Sequence, residues 1–160
     1  MTEKKVKLET NMGDIIICLY EDMPVTTGNF EKLVREGFYD GIIFHRVING
    51  FMIQAGCPLG NGTGGPGYNI KDEFVKGHSN TRGTIAMANT GQPDTGGSQF
   101  FINLVDNSYL DWDNKSTPYK HPVFGEVCGG MDVVDKIAKL PTDRMDKPKQ
   151  EAKIIKAEIV

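Results

Sequence analysis

Cysteine is scarce in this chain, and the three present, Cys18, Cys57 and Cys128, are odd in number and far apart. That spacing argues against a disulfide framework and against the paired ligands of a zinc site. Cys18 and Cys128 sit in apolar strand contexts and read as small buried hydrophobes, whereas Cys57, in a loop ahead of Pro58, reads as an accessible thiol. Histidine is equally rare. His45, His78 and His121 are too dispersed for a metal cluster, and neither an HExxH pattern nor a nucleophile elbow occurs, so no metal or cofactor is expected. No apolar run approaches the roughly 20 residues that span a membrane. Positive charge is not concentrated either: the net charge is −3, and Lys4, Lys5 and Lys7 are diluted by Glu3 and Glu9. Without a basic stripe to neutralise phosphates, nucleic acid is not an expected partner. The stretch from Met1 to Lys7 has no apolar signal region and no small-residue cleavage site, so the expected location is the cytoplasm.

What is present is the composition of a globular protein, 39% hydrophobic and 24% charged, in 160 residues. That length suits one domain, spanning 1–160, that buries about two-thirds of its unfolded surface. Val6 to Thr10 alternates apolar with polar, Asn11 to Asp14 turns, and Ile15 to Tyr20 continues with β-branched residues, which predicts a hairpin. Pro24 and the Thr26 and Thr27 hydroxyls mark a helix start, Phe30, Leu33 and Val34 fall at helical spacing, and Gly37 stops the helix. Further strands are predicted at 42–47, 51–55, 83–88, 98–104 and 122–128, separated by glycine-rich connections rather than by crossover helices, with a final strand at 154–160. A second helix is carried by Val133, Val134, Ile137 and Leu140 and closed by Pro141. Many strands and two helices predict a mainly β, antiparallel protein, a closed barrel or a sandwich with helices over its open ends. Neither helix shows a second apolar face, which predicts a monomer.

The run from Phe44 to Gln54 places Arg46 and Gln54 among large apolar side chains around an Asn49-Gly50 turn, a strong hairpin signal. Alternation puts Phe44, Arg46 and Ile48 on one strand face and Phe51 and Ile53 on another. An arginine keeps its charge, so an apolar surround requires a carboxylate, a carbonyl or a ligand for its donors. A structural ion pair and a ligand-facing cation both satisfy that demand. His45, on the opposite face, reads as a hydrogen-bonded structural residue; His121, beside Pro122 and Val123, reads as a pocket residue. Gly60 to Gly65 matches a dinucleotide fingerprint in form only, since Pro66-Gly67 follows and no helix opens there. Asp111 to Lys115 begins like a calcium loop but has lysine at a ligand position and lacks the loop glycine and terminal glutamate. A second cluster, Met87 to Gly91 followed by Gly97 to Ile102, joins amides to aromatics, and with Phe51, Met52, Gln54 and Arg46 makes an apolar groove with few polar groups and one strong cation.

These blocks resemble the cyclophilins, the family of peptidyl-prolyl cis/trans isomerases. The likeness runs from about Leu8 to Ile159 and rests on Phe44-His45-Arg46, Gly50 to Gln54, Gly62 to Gly65, Met87-Ala88-Asn89, Gly97 to Phe101 and Val123-Phe124-Gly125. It implies a closed eight-stranded antiparallel β-barrel capped by two α-helices, acting without cofactor on proline-containing peptides and unfolded protein segments. By the family pattern Arg46 is catalytic, and Phe51, Met52, Phe101 and Leu110 line a proline pocket. Gln54, Ala88, Asn89, Gln99 and His121 bind or orient the substrate backbone, while Gly62 and Thr90 border a pocket for residues preceding the proline. Tyr109 stands where many members carry a tryptophan associated with cyclosporin binding, which implies weakened affinity for that ligand. The connection from Trp112 to Lys120 is longer than in short members. A proline-peptide scaffold is the competing reading, and Arg46, which a pure binder does not need, favours the enzyme.

Overall fold

A computed structural model describes residues 4–160; residues 1–3, with which the expected domain begins, lie outside it. The predicted hairpin forms from β1 (Lys5–Thr10) and β2 (Gly13–Leu19), paired from Lys5↔Cys18 to Thr10↔Gly13. Val6, Leu8, Ile15 and Ile17 are wholly buried, so the alternation read in the sequence becomes the inner face of the sheet. The remaining strands are β3 (Arg46–Ile48), β4 (Met52–Ala55), β5 (Thr84–Met87), β6 (Phe100–Asn103), β7 (Val123–Gly129) and β8 (Ile154–Ile159). All pairings are antiparallel, in the order β3-β4-β6-β5-β7-β2-β1-β8.

The expected closed barrel is corrected at its seam: the sheet curls but stays open between β3 and β8. The cause lies in residues 42–47, predicted as a strand, of which only Arg46 onward joins a ladder. Ahead of it, Ile43 makes an isolated bridge to Lys153, the Phe44 N–H donates to the Ala152 carbonyl at 2.8 Å, and the Ile154 N–H donates to the Ile42 carbonyl at 2.8 Å. Those bonds stitch the edges without a continuous ladder. Phe44 therefore leaves the alternation that binds Arg46 and Ile48: it is fully buried in the main core while Arg46 is exposed. Phe51 also departs from expectation. Because Ile48 pairs with Met52, Phe51 lies in the turn, closed by its N–H to the Ile48 carbonyl at 3.0 Å and by Gly50 at φ +79°.

Helix α1 (Pro24–Arg35) buries Phe30, Leu33 and Val34 over one end of the sheet, with the Phe30 ring 5.1 Å from Phe124 and 5.5 Å from Phe100. Its start is not capped by the threonines. The Thr27 hydroxyl donates to the Tyr20 carbonyl and the Thr26 hydroxyl is buried without a partner, while the Glu73 carboxylate accepts the Val25 and Thr26 N–H groups at 3.0 and 2.8 Å. A carboxylate there satisfies two of the helix's orphan donors and faces the positive end of its dipole. The helix ends as predicted: Gly37 at φ +73° donates to the Val34 carbonyl and Phe38 to that of Leu33. Helix α2 (Met131–Ala138) lays Val134 and Ile137 against the sheet.

Cys18 and Cys128, expected as free hydrophobes, form a disulfide between β2 and β7, with Cα atoms 5.9 Å apart. Strands 110 residues apart in sequence become neighbours through the sheet order, which linear spacing does not reveal. Cys57 is the remaining thiol, and it is buried rather than accessible, with the Gly64 N–H donating to its Sγ at 3.2 Å. Burial pushes this thiol up, but backbone N–H groups of the 59–64 loop outweigh it and hold it below its usual range. Denatured without reductant, protein prepared under oxidising conditions should therefore titrate one thiol, that of Cys57. Removing the bridge with Cys18→Ala plus Cys128→Ala should cost about 2–4 kcal/mol in urea unfolding. Three titratable thiols in the unreduced chain would sink the assignment.

Candidate active site

The strand registers place one residue from each of five adjacent strands in a single row: Arg46 opposite Gln54, Gln54 opposite Phe101, Phe101 opposite Ala86, and Ala86 opposite Val123. Their neighbours along the strands, Val47, Ile53, Ile85, Phe100, Ile102 and Phe124, point into the main core. The row points the other way, where Met52, Ala86, Phe101, Leu110 and Val123 form a second apolar cluster with Phe51 and Ile48 packed against it. Over that cluster opens a cavity of about 690 Å³. Its lining takes in Arg46, Phe51, Met52, Gln54, Phe101, Leu110 and His121, and from the 88–90 segment Ala88, Asn89 and Thr90. Gly62 and Gln99 line an adjoining cavity of about 520 Å³, which shares Gln54, Ala88, Asn89 and Thr90 with the first. The residues expected to be catalytic or substrate-binding thus meet in two adjoining cavities, whereas Tyr109 lines neither.

Arg46 is exposed at the rim, not enclosed, and no carboxylate pairs with it among the described residues. Its one hydrogen-bond partner among the described residues is the Gln54 Oε1, 3.5 Å from Nη1. Gln54 is itself held: its Nε2 donates to Gln99 Oε1 at 2.9 Å, and the Gln99 Nε2 donates to the carbonyls of Gly62 and Gly64 at 3.0 and 2.9 Å. The glycine-rich loop therefore aims a relay of two amides at the guanidinium. Across the cavity the Ala88 N–H is taken by the Gln99 carbonyl, and the Asn89 side chain is spent on the Lys120 carbonyl and the Gly91 N–H. Its backbone N–H has no protein acceptor among the described residues. A directed cation, a free N–H and an apolar floor make a site that can polarise an amide while holding a compact ring.

The family model for cyclophilin-type peptidyl-prolyl cis-trans isomerases matches residues 5–159. The chain belongs to the cyclophilin family. This cyclophilin is 47% identical to a peptidyl-prolyl cis-trans isomerase of Acinetobacter baylyi, over 96% of its own length and 84% of the relative's. It is 48% identical to one of Arabidopsis thaliana over 95% of its length, but spans only 24% of that longer protein. A crystal structure of a cyclophilin-type isomerase from Cryptosporidium parvum superposes with a TM-score of 0.91 at 32% identity, covering 99% of this chain and 98% of that one. The same Cryptosporidium parvum protein, crystallised in the presence of the dipeptide Ala-Pro, superposes at 0.89, also at 32% identity, covering 98% of each chain.

What the sequence did not reveal is the polar layer beneath the cyclophilin pocket. Asn103, at the end of β6, donates to Asn80 Oδ1 and Thr84 Oγ1, both at 3.0 Å, and accepts from Asn107 Nδ2 at 2.9 Å. Asn107 also donates to the Phe51 carbonyl at 3.0 Å. Asp111, read only as the start of a failed calcium loop, accepts the Asn80 N–H at 2.7 Å and Nδ2 at 2.8 Å, and takes the Ser79 hydroxyl as well. This network fixes the Phe51 turn and the Leu110 segment. The only signal for it was an asparagine at the end of the apolar run Phe100 to Asn103. Losing one member strands buried partners, at about 1–3 kcal/mol each.

His121 presses its ring edge-on to Phe101 at 5.3 Å, and its Nδ1 lies 3.0 Å from the Met87 carbonyl, which fixes the proton on that nitrogen while the imidazole is neutral. Burial lowers its pKa below the ordinary 6.5, against the opposing pull of the Met87 carbonyl and Asp72. His45, expected to be hydrogen-bonded, is buried with Nδ1 unpartnered. Burial first, then the charges of Arg46 and Lys147, lower its pKa from 6.5 as well. The unfolded chain takes up these protons near 6.5 and the folded chain refuses them, so stability is full above that pH and is lost as pH falls toward the lower folded values. The thermal midpoint should accordingly fall between about pH 7.5 and pH 5.5, and His121→Gln should flatten that fall. An unchanged slope in the variant would remove His121 from the account.

Proposed function

We propose that this cyclophilin accelerates rotation about X–Pro bonds in flexible or unfolded protein segments, with Arg46 as the catalytic residue and no cofactor. The observation that carries the reading is a guanidinium without a counter-charge, steered by Gln54 over an apolar pocket. The barrier to X–Pro rotation, about 18–20 kcal/mol, comes from amide resonance, so catalysis has no bond to break and no nucleophile to supply. Phe51, Met52, Phe101 and Leu110 hold the proline ring. Arg46 donates toward the prolyl nitrogen and stabilises its lone pair as conjugation is lost. The free Asn89 N–H holds the carbonyl of the preceding residue while it turns. A carboxylate on Arg46 would have spent the charge in the ground state; an amide oxygen at 3.5 Å orients it and leaves most of its field for the twisted state. Each tenfold in rate needs about 1.4 kcal/mol of such differential stabilisation. The Ala-Pro dipeptide present with the Cryptosporidium parvum relative supports a substrate of this chemistry.

The reading extends to a monomer working in the cytoplasm, where a reducing pool would hold Cys18 and Cys128 as thiols. Cyclosporin-type macrocycles bind weakly, because Tyr109 offers a smaller ring than an indole and carries it 40% exposed. Tyr109→Trp should therefore tighten binding of such a macrocycle, measured by calorimetry; an unchanged affinity would free Tyr109 of that role.

The deciding test is cis-to-trans exchange of a short X–Pro peptide by NMR at substoichiometric protein. Arg46→Ala, which removes an exposed side chain, should fold as the parent does and lose about 100- to 1,000-fold in kcat/KM. Full turnover in that variant would end the catalytic assignment, and binding without any acceleration by the parent would make the protein a scaffold.

A further inference from the structure

The main cavity, at about 690 Å³, is of a size that holds a drug-sized molecule, far more than one proline ring fills. Beyond the ring pocket its lining continues along Phe74 and Pro93 on one side and Pro118, Tyr119 and Lys120 on the other. The second side belongs to the long connection between Leu110 and His121, which is tied down rather than loose. The Thr117 hydroxyl donates to the Tyr109 carbonyl at 2.6 Å, Asn89 Nδ2 donates to the Lys120 carbonyl at 2.8 Å, and Trp112 stacks on Phe74 with centroids 5.5 Å apart and planes 19° from parallel. Trp112 thus backs one wall while the end of the connection supplies the other.

Two exposed aromatic rings stand here, Tyr119 in the cavity lining and Tyr109 beside it. Tyr109 is 40% and Tyr119 48% exposed, edge to face at 6.3 Å. Tyr109 lies nearly parallel to Phe51 at 6.4 Å and Tyr119 nearly parallel to His121 at 6.4 Å, so the rim continues the aromatic lining of the ring pocket. The charges on this part of the lining, Asp72 and Lys120, are of opposite sign and select for neither.

We propose that Tyr119, with Tyr109 and the Trp112-backed Phe74, forms a subsite for an aromatic side chain next to the proline, so that preferred substrates pair proline with a neighbouring aromatic residue. The proposal rests on the isomerase reading above. Its physical basis is that two open ring faces, continuous with the bound proline, gain by stacking or edge contact with a third ring and by covering apolar surface, whereas a glycine leaves them wet. Tyr119 is then a specificity residue, acting on which segments are taken up.

The test measures kcat/KM by NMR exchange for short peptides carrying phenylalanine or glycine on either side of an Ala-Pro unit, with the parent, Tyr119→Ala and Tyr119→Phe. Each rate is taken relative to the uncatalysed exchange of the same peptide. In at least one position phenylalanine should be favoured by about three- to tenfold with the parent. That ratio should fall close to one in Tyr119→Ala and survive in Tyr119→Phe, which keeps the ring. No aromatic preference in the parent, or a preference untouched by Tyr119→Ala, overturns the subsite while leaving the isomerase reading intact. Absence of acceleration for every peptide overturns that reading and the subsite with it.

Discussion

Strand register is the constraint on which the site depends. A pleated strand sends alternate residues to opposite faces, and in the β4-β6-β5 stretch both faces are buried, one by the main core and the other by the pocket cluster. Arg46, Gln54, Phe101, Ala86 and Val123 share a row only because four separate ladders hold their alignment. A slip of one residue in a strand would send its pocket side chain away from the cavity and a core residue into it. The main core opposes such a slip, since Ile53, Ile85 and Ile102 are wholly buried there. Packing that touches no substrate therefore sets the geometry of the groups that do.

The second requirement is a charge left uncompensated. Arg35 and Arg82 pair with Glu31 and Asp135, whereas Arg46 sits beside an amide whose orientation is dictated by another amide and two glycine carbonyls. Keeping the cation at the rim avoids the desolvation that a buried guanidinium would suffer, yet the apolar floor lowers the local dielectric and lengthens its reach. The buried layer of Asn80, Asn103, Asn107 and Asp111 does the complementary work. It satisfies the backbone and side-chain groups that two converging turns leave behind, and so lets Phe51 and Leu110 face the cavity.

Local patterns in the sequence served well where the cause was local. The first hairpin, the apolar stripe of α1, its glycine stop and the alternating strands all follow from period, turn chemistry and caps within a few residues. Expectations failed where the cause lay elsewhere in the chain. Glu73 caps α1 from 47 residues away, the Cys18–Cys128 bridge spans 110, and the seam lacks a ladder because residues ahead of Arg46 do not extend β3 and meet the 152–154 segment only through separate bonds. Cys57 read as a loop thiol because loops are usually exposed, but the loop folds its own N–H groups around the sulfur.

The site divides in the same way. The chain's residues by themselves determined the chemistry available: an arginine, two glutamines and an asparagine among aromatics, in blocks whose resemblance named the family and with no candidate nucleophile in the groove. Tertiary structure alone decided that Arg46 is free of a counter-charge, that the side-chain amides of Gln54 and Gln99 are oriented by the Gly62 and Gly64 carbonyls, and that Tyr119 and Phe74, the latter backed by Trp112, line the pocket. The reason is physical. A residue type carries its charge, volume and hydrogen-bonding groups in the sequence, but which partner spends them is a matter of distance, and distance between residues 30 to 100 apart in the chain exists only once the sheet has folded.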